Sequence, residues 1–289
     1  MIWLPGFDAK TVINALPRAT TMMGVPTFYT RLLDHAGFTR EVAGHMRLFT
    51  SGSAPLLAET HVQFSDRTGH AILERYGMTE TGMNTSNPYE GERRAGTVGF
   101  PLDGVELRIV DADGGQVPQG ETGAIEVRGP NVFVGYWNMP EKTAAELRED
   151  GFFITGDLGQ IDTDGYVTIA GRDKDLIISG GYNIYPKEVE LLLDAQPGVK
   201  ETAVIGAPHP DFGEGVVALL VAQGDAVPDI DAIRQEVAGR LANFKRPKEY
   251  IVIHELPRNT MGKVQKNLLR DTFGQVFTVP DRAETRLKS

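Results

Sequence analysis

Strand-like and helix-like segments alternate over residues 1–76, and this order constrains the fold more than any other feature. The strand-like runs are Thr21–Val25, Arg47–Gly52 and Ala71–Tyr76. The helical segments are residues 8–18, 27–33 and 57–69, with Asp8 and Pro26 placed to start the first two. Strands that alternate with helices form parallel sheets, so this part of the chain is predicted to be an α/β domain.

The pattern changes after about residue 97. Val105–Val110 and Ala124–Arg128 alternate apolar and polar residues between turns rich in glycine and proline, which indicates a barrel-like β subdomain. The last third again mixes strands and helices. The predicted fold class is therefore mixed α/β: a partial parallel-sheet domain over 1–96, a β-rich subdomain over 97–173 and a small α/β domain over 174–289.

Composition excludes several classes of function. The net charge of -10 argues against a nucleic-acid partner, because phosphate binding requires a basic face. The chain has no cysteine, so any thioester chemistry must use a thiol that the substrate carries. No apolar stretch reaches the length of a membrane span, and the expected location is the cytoplasm.

The run Tyr76-Gly77-Met78-Thr79-Glu80-Thr81 brings several chemical groups to the end of a predicted strand. Ligands of open α/β sheets bind at the carboxyl ends of strands. Tyr76 offers an aromatic face to a purine, Thr79 a hydroxyl to a phosphate, and Glu80 a hard oxygen ligand to Mg²⁺. Taken alone, the run also fits a solvated turn.

Further motifs offer complementary groups. The loop Gly52-Ser53-Ala54-Pro55-Leu56 lets the backbone approach a flat ring. Asp157 can accept both hydroxyls of a ribose diol, although an aspartate in a turn is more often structural. Lys263, which ends the run Pro257–Lys263, can bring an ammonium to the charge that develops between a carboxylate and an α-phosphate.

In their order and spacing, these motifs and Gly171-Arg172-Asp173-Lys174-Asp175 resemble the adenylate-forming acyl-CoA synthetases. The resemblance implies an acid–thiol ligase that uses ATP, Mg²⁺ and coenzyme A as co-substrate. It assigns the nucleotide site to Gly52, Ser53, Ala54, Tyr76, Gly77, Met78, Thr79, Asp157 and Arg172. It assigns catalysis to Lys263, Thr79 and Glu80, the metal to Glu80, and coenzyme A to Gly180, Gly181 and Tyr182. Lys174 matches the hinge about which the family's mobile C-terminal domain rotates.

Within this family, Asn84–Tyr89 followed by Gly91–Arg94 resembles the malonyl-CoA synthetases. The implied reaction converts malonate, ATP and coenzyme A to malonyl-CoA, AMP and pyrophosphate through an acyl-adenylate. The second carboxylate of malonate needs a cation, for which Arg93 and Arg94 are candidates, although both also fit surface arginines. Alternative hypotheses are a medium-chain or aryl acyl-CoA synthetase, or a non-catalytic fragment or partner subunit of a split enzyme.

The family's main phosphate-binding loop, rich in serine, threonine and glycine with a lysine, does not occur in residues 1–289. The chain is therefore expected to be the C-terminal part of a family member that begins within a sheet, at a strand over Met1–Leu4. Residues 1–96 would be a remnant of the large AMP-binding domain. The expected partners are small molecules, with a separate N-terminal segment or self-association as further expectations.

Overall fold

The computed structural model describes residues 1–224, 227–259 and 263–278. Contacts divide the chain into two units, Met1–Ile169 and Ala170–Ser289. The boundary between them falls inside the strand Val167–Arg172. The domain limits expected from the sequence stay a prediction.

A mixed sheet covered by helices forms the first part of the first unit. Its elements are α1 (Ala9–Ala15), β1 (Thr21–Gly24), α2 (Pro26–Leu33), α3 (Arg40–Ala43), β2 (Leu48–Ser51), α4 (Ala58–Thr68), β3 (Leu73–Met78), β4 (Gly82–Ser86) and β5 (Phe100–Pro101). The strand order is β1-β2-β3-β4-β5. The first three strands are parallel, and β4 and β5 continue the sheet in antiparallel pairing.

Local sequence signals explain where these helices begin. The Asp8 carboxylate accepts the Thr11 N–H at 2.8 Å and caps α1. Helix α2 has Pro26 in its first turn, where a backbone N–H would lack an intrahelical partner. The Phe64 ring of α4 packs edge-on against Tyr29 and Phe49, with centroid distances of 5.4 and 5.0 Å. These buried rings join the helices to β2.

A second sheet completes the first unit. Its elements are β6 (Glu106–Val110), β7 (Gly123–Arg128), α5 (Pro140–Glu146), β8 (Phe153–Ile161) and β9 (Val167–Arg172). The strand order is β6-β7-β8-β9, and β7 pairs antiparallel with both β6 and β8. Ile109, Ile125, Val127 and Phe153 form the buried core on this sheet.

The second unit is a sheet with helices on both faces. Its elements are β10 (Ile177–Ser179), β11 (Tyr182–Ile184), α6 (Pro186–Asp194), β12 (Val199–His209), β13 (Gly213–Ala222), α7 (Ile230–Arg240), β14 (Glu249–Ile253) and α8 (Lys266–Phe273). The order is β11-β10-β13-β12, and β14 pairs parallel with β13. Side chains alternate along β13: Val216, Ala218 and Leu220 enter the core with α6 and α7. Val217, Leu219 and Val221 enter a second core, together with α8.

The predicted mixed α/β fold is confirmed, with differences in detail. The barrel-like subdomain is an open sheet. The strand expected at Met1–Leu4 is wrong, because these residues pair with no strand of the described chain and have no regular secondary structure. Gly156 and Asp157 lie inside β8 and not in a turn between elements. Gly156 has a φ of +69°, and the pairing of β8 with β7 shifts register opposite it.

Within the described residues, every helix is too short or too polar to pass through a lipid bilayer.

Candidate active site

The predicted site begins at the hairpin of β3 and β4. Tyr76, Gly77 and Met78 end β3, and the turn places Thr79 at an exposed position and Glu80 at a half-buried one. The Thr81 N–H donates to the Met78 carbonyl at 3.2 Å and closes the turn. A Cβ at Gly77 would lie 2.0 Å from the Gly82 carbonyl oxygen, so only glycine permits this close pairing.

Glu80 is held from two directions by the loop that follows β7. The Phe133 N–H donates to the Glu80 backbone carbonyl at 2.8 Å. The Tyr136 hydroxyl lies 3.2 Å from Glu80 Oε1 and 2.6 Å from Glu146 Oε2. Burial, the hydrogen bond to Glu146 and the negative charge of Glu80 raise the pKa of Tyr136, so it is a neutral phenol at ordinary pH.

The surroundings of Glu80 fit a metal ion that arrives with a nucleotide. No group of three or more histidine, cysteine or acidic side chains in the described part of the chain could hold a metal ion unaided. Mg²⁺ commonly binds to one or two carboxylates and to substrate phosphates, keeping several waters. A single half-buried carboxylate beside the exposed hydroxyl of Thr79 suits that mode of binding.

Tyr76 and Asp157 meet, although 81 residues separate them in sequence. The Tyr76 hydroxyl donates to Asp157 Oδ2 at 2.5 Å, and Asp157 is 4% exposed. The Asp157 N–H donates to Thr155 Oγ1 at 3.1 Å, which fixes the aspartate within β8. The predicted purine-binding and ribose-binding residues are therefore neighbours in the first unit.

The loop Gly52–Leu56 connects β2 to α4, beside β3. Ser53 and Ala54 are exposed, and Ser53 has a φ of +69°. Beneath the loop, buried His61 and Glu74 are 3.3 Å apart, from Nδ1 to Oε1. Burial raises the pKa of Glu74, and hydrogen bonds from His61, Gly96 and Leu56 oppose that shift. Glu74 therefore joins the loop to two other segments.

Buried polar atoms that lack a hydrogen-bond partner among the described residues are concentrated around β2, β3 and β4. They are Thr50 Oγ1, Ser51 Oγ, Arg75 Nε, Thr81 Oγ1, Asn84 Nδ2, Thr85 Oγ1 and Asn131 Oδ1. Buried polar atoms are nearly always hydrogen-bonded, so these donors and acceptors are available to water or to a ligand. Arg75 stands out because it is a cation next to Tyr76, and a Cβ at Gly52 would lie 3.8 Å from its Nε.

Arg93 and Arg94, the sequence candidates for a second carboxylate, are engaged elsewhere. The Arg93 guanidinium donates to the carbonyls of Ala71, Pro88 and Tyr89. Arg94 forms ion pairs with Asp162 and Asp164 at 2.8 and 3.0 Å, and its guanidinium lies 4.1 Å from the Tyr166 ring centroid. Both arginines therefore hold the segment after β4 in place.

The predicted coenzyme A loop in the second unit is a tight hairpin. Ser179 pairs with Tyr182, and the two residues between them, Gly180 and Gly181, have φ angles of +58° and +81°. This is the two-residue turn that requires positive φ at both positions. Tyr182 is 57% exposed, and its ring stacks on that of Phe244 with centroids 4.5 Å apart. The hairpin thus presents an aromatic surface beside a narrow backbone turn.

Lys263 is exposed and is hydrogen-bonded to Asn259. Its N–H donates to Asn259 Oδ1, and its carbonyl accepts the Asn259 N–H, each at 2.9 Å. Thr260, Met261 and Gly262 of the predicted lysine motif lie outside the described residues. These contacts fix the backbone of Lys263 just before α8.

Arg172 and Lys174 are exposed; Arg172 precedes a short 3₁₀ helix, Asp173–Asp175, and Lys174 lies within it. Asp175 of that helix pairs with Arg270 of α8. Arg172 belongs to the second unit and Asp157 to the first, so their joint role at a ribose stays a prediction.

Sequence reasoning missed Arg75, Tyr136 and Glu146. A charged Glu74-Arg75 pair within an otherwise apolar strand is a signal that could have identified Arg75. Tyr136 lies 56 residues from Glu80 in sequence, and no local sequence pattern predicts that the two side chains are in contact.

Comparison with known proteins places the chain in a family. The family model for AMP-binding enzymes matches residues 2–137, and the model for the AMP-binding enzyme C-terminal domain matches residues 188–263. The chain belongs to the AMP-binding enzymes, in the branch of the acyl-CoA ligases, as the motifs predicted.

Individual relatives refine this placement. ATP-bound MatB from Rhodopseudomonas palustris is 59% identical with a TM-score of 0.93, over 96% of this chain and 55% of that one. A malonate–CoA ligase of Arabidopsis thaliana is 40% identical, over 88% of this chain and 44% of its own length. A feruloyl-CoA synthase of an Amycolatopsis species is 39% identical, over 93% of this chain and 55% of its own length. The chain spans about half the length of the curated relatives it matches.

Proposed function

We propose that this chain contributes the nucleotide and acid sites of an ATP-dependent, AMP-forming acyl-CoA ligase whose acid substrate is malonate. Family membership supports the ligase chemistry. The similarity to a malonate–CoA ligase and to MatB supports the acid. The observation that carries the proposal is Arg75, a cation that precedes Tyr76 on β3 and lies beside Gly52, and whose Nε is buried without a hydrogen-bond partner among the described residues.

Arg75 suits a second carboxylate for electrostatic reasons. A guanidinium forms planar, charge-assisted hydrogen bonds with carboxylates, and such bonds are stronger than neutral ones. Malonate has one carboxylate to activate and another that must be bound, whereas propionate has only the first. A buried guanidinium nitrogen without a partner therefore favours the dicarboxylic acid.

In the first half-reaction, a carboxylate oxygen of malonate bonds to the α-phosphorus of ATP, and the bond to pyrophosphate breaks. Asp157 would accept the ribose diol, the Tyr76 ring would lie along the purine, and Thr79 would donate to a phosphate oxygen. Lys263 would neutralise charge that develops between the carboxylate and the α-phosphate. Glu80 would hold Mg²⁺, which when bound offsets phosphate charge.

In the second half-reaction, the sulfur of coenzyme A bonds to the acyl carbon, the thiol proton is released, and AMP leaves with the electrons of the acyl–oxygen bond. The Gly180–Gly181 turn and the exposed Tyr182 ring would contact the pantetheine arm. Lys174 would be the pivot between the two half-reactions, with Lys263 required for the first and the glycine turn for the second.

The test compares malonate with propionate on the purified chain. Titration calorimetry in the presence of ATP and Mg²⁺ should show malonate binding at least tenfold tighter than propionate. Arg75→Met should remove this preference, since a hydrogen bond to a charged group contributes about 1.5–3 kcal/mol. Arg31→Met, at an exposed position on α2, is the matched control and should keep the preference.

Other outcomes separate the parts of the proposal. Tighter binding of ferulate or benzoate than of malonate would favour an aryl acyl-CoA ligase and reject the acid assignment. If ATP does not bind to the chain in the presence of Mg²⁺, the proposed nucleotide site is wrong.

A further inference from the structure

Two segments far apart in sequence meet at Glu80. The backbone carbonyl of Glu80 accepts the Phe133 N–H at 2.8 Å, and its side-chain Oε1 lies 3.2 Å from the Tyr136 hydroxyl. The same short loop therefore fixes both the main chain and the carboxylate of the residue. A side chain at a solvent-facing hairpin turn would otherwise sample several rotamers.

Tyr136 is itself held firmly. Its N–H donates to Thr143 Oγ1 at 2.9 Å, and its ring packs edge-on against Phe133 with centroids 4.8 Å apart. The Lys142 ammonium lies 4.0 Å from the ring centroid. These contacts come from the loop before α5 and from α5 itself, so the hydroxyl has little freedom to move.

The phenol has a single proton and donates to one carboxylate at a time. The 2.6 Å contact with Glu146 is short enough for the strong bond, so the proton lies on that side and Glu146 anchors the hydroxyl. The phenol oxygen lies 3.2 Å from Glu80 Oε1. Without a proton between them the two oxygens repel, which limits where the Glu80 carboxylate can lie and leaves its oxygens to a cation. The Lys142 ammonium lies 4.0 Å from the Glu146 carboxylate and partly offsets the negative charge of Glu146 and Glu80.

We propose that Tyr136 is a positioning residue that orients the Glu80 carboxylate for a metal-bound nucleotide, anchored in turn by Glu146. This inference deepens the proposed function and rests on it. Mg²⁺ and Mn²⁺ demand well-placed oxygen ligands, and the partners that orient a metal ligand typically change metal affinity by about 10–100-fold when removed.

The experiment measures ATP binding to the full 289-residue chain with Mn²⁺ and, separately, with EDTA, and counts bound Mn²⁺ by electron paramagnetic resonance. Tyr136→Phe keeps the ring and removes the hydroxyl. It should weaken Mn²⁺-dependent ATP binding about tenfold while leaving binding in EDTA unchanged. Tyr166→Phe is the matched control, because it removes a hydroxyl that donates to the Glu92 carbonyl at 2.9 Å, and it should change neither value.

Glu146 supplies a second, independent test. Glu146→Ala removes the anchor, so the phenol donates to Glu80 and competes with Mn²⁺ for its oxygen; it should weaken Mn²⁺-dependent binding as Tyr136→Phe does. Glu146→Gln keeps an oxygen that accepts the phenol proton and should stay within about threefold of the unsubstituted chain. Circular dichroism of each variant establishes that it is folded, and if Tyr136→Phe does not fold, the Glu146 pair decides the outcome.

The inference is overturned if Tyr136→Phe and Glu146→Ala leave Mn²⁺-dependent binding unchanged while Glu80→Gln abolishes it; the proposed function would then stand. It is also overturned if Tyr136→Phe weakens ATP binding equally in EDTA, which would indicate a purely structural role. If Glu80→Gln has no effect on Mn²⁺-dependent binding, the metal role of Glu80 in the proposed function is wrong, and the positioning role is rejected with it.

Discussion

Asp194, at the end of α6, is a carboxylate whose ionisation is coupled to folding. Its side chain is 10% exposed, accepts the Thr202 hydroxyl at 2.7 Å and lies 4.0 Å from the Lys187 ammonium. Burial, only partly offset by Lys187 and Thr202 and reinforced by the negative charge of Glu190, raises the pKa of Asp194 from 3.8 to about 6. Between these values the folded chain binds a proton that the unfolded chain releases.

The stability of the second unit should therefore fall as pH rises from about 4 to about 6, because the folded pKa lies above the unfolded one. The full change from this residue is about 3 kcal/mol. Asp194→Asn should remove this part of the pH dependence. Urea unfolding and hydrogen exchange of the α6 amides at several pH values measure it.

Asp231→Asn removes a carboxylate at an exposed position on α7 and serves as the control. It should leave the pH dependence of stability as it is in the original chain. Equal pH slopes for the original chain and Asp194→Asn would show that Asp194 does not titrate in this range.

At the scale of elements, the sequence predicts the helices and strands whose signals are local, and it fails where a strand depends on its partners. Asp8 accepts a backbone N–H at the start of α1, as its position predicts, and Asp229 accepts two at the start of α7; these interactions are local. Strand β4, with the sequence Gly-Met-Asn-Thr-Ser, has no strand pattern of its own and forms because β3 and β5 pair with it. The apolar run Met1–Leu4 looks like a strand and has no partner.

In the candidate site, too, the sequence predicts residues that are adjacent in the chain but not the contacts between distant ones. Tyr76, Thr79 and Glu80 could be selected from one short motif because they are adjacent in sequence. The contacts of Tyr76 with Asp157 and of Glu80 with Tyr136 depend on how two sheets pack. That packing is set by long-range burial, and a local pattern does not encode it.

The β3–β4 hairpin should not tolerate a side chain at Gly77. The Cβ of Gly77→Ala would lie 2.0 Å from the Gly82 carbonyl oxygen, which belongs to the backbone and cannot rotate away. We expect destabilisation by about 3 kcal/mol or more and loss of ATP binding. Urea unfolding and calorimetry measure both effects.

Gly239→Ala provides the matched comparison. Gly239 lies on α7, and outside its own helix backbone and chain neighbours nothing is within 4 Å of its Cβ position, so alanine should stabilise the chain by up to about 1 kcal/mol. A Gly77→Ala chain as stable as the original would mean that β3 and β4 do not approach this closely.

At the scale of the molecule, each hydrophobic core lies within one of the two units. The cores on the two sheets of the first unit draw their residues from 4–72 and 76–169. The cores of the second unit draw theirs from 177–250 and 203–277. None of these four cores of the described chain combines side chains from both units, which is typical of parts that fold separately.

A recombinant chain of residues 170–289 should therefore fold alone and unfold cooperatively in urea. A shorter chain of residues 200–289 loses β10, β11 and α6, which supply Ile177, Ile184, Val189 and Leu193 to one core, and should not fold. Circular dichroism and proton NMR dispersion compare the two. A disordered spectrum for residues 170–289 would show that the second unit needs the first.

The hydrogen bond between Tyr76 and Asp157 changes the thermodynamics expected of a nucleotide at this site. A buried carboxylate waiting for a ligand would carry an unmet desolvation cost, whereas here a phenol already satisfies one oxygen. A ribose diol that reached Asp157 would exchange one hydroxyl donor for others, so the net gain in free energy would be small. At the proposed ribose site, such an internal placeholder would hold the Asp157 carboxylate in its binding position and would satisfy its charge again when the nucleotide departs.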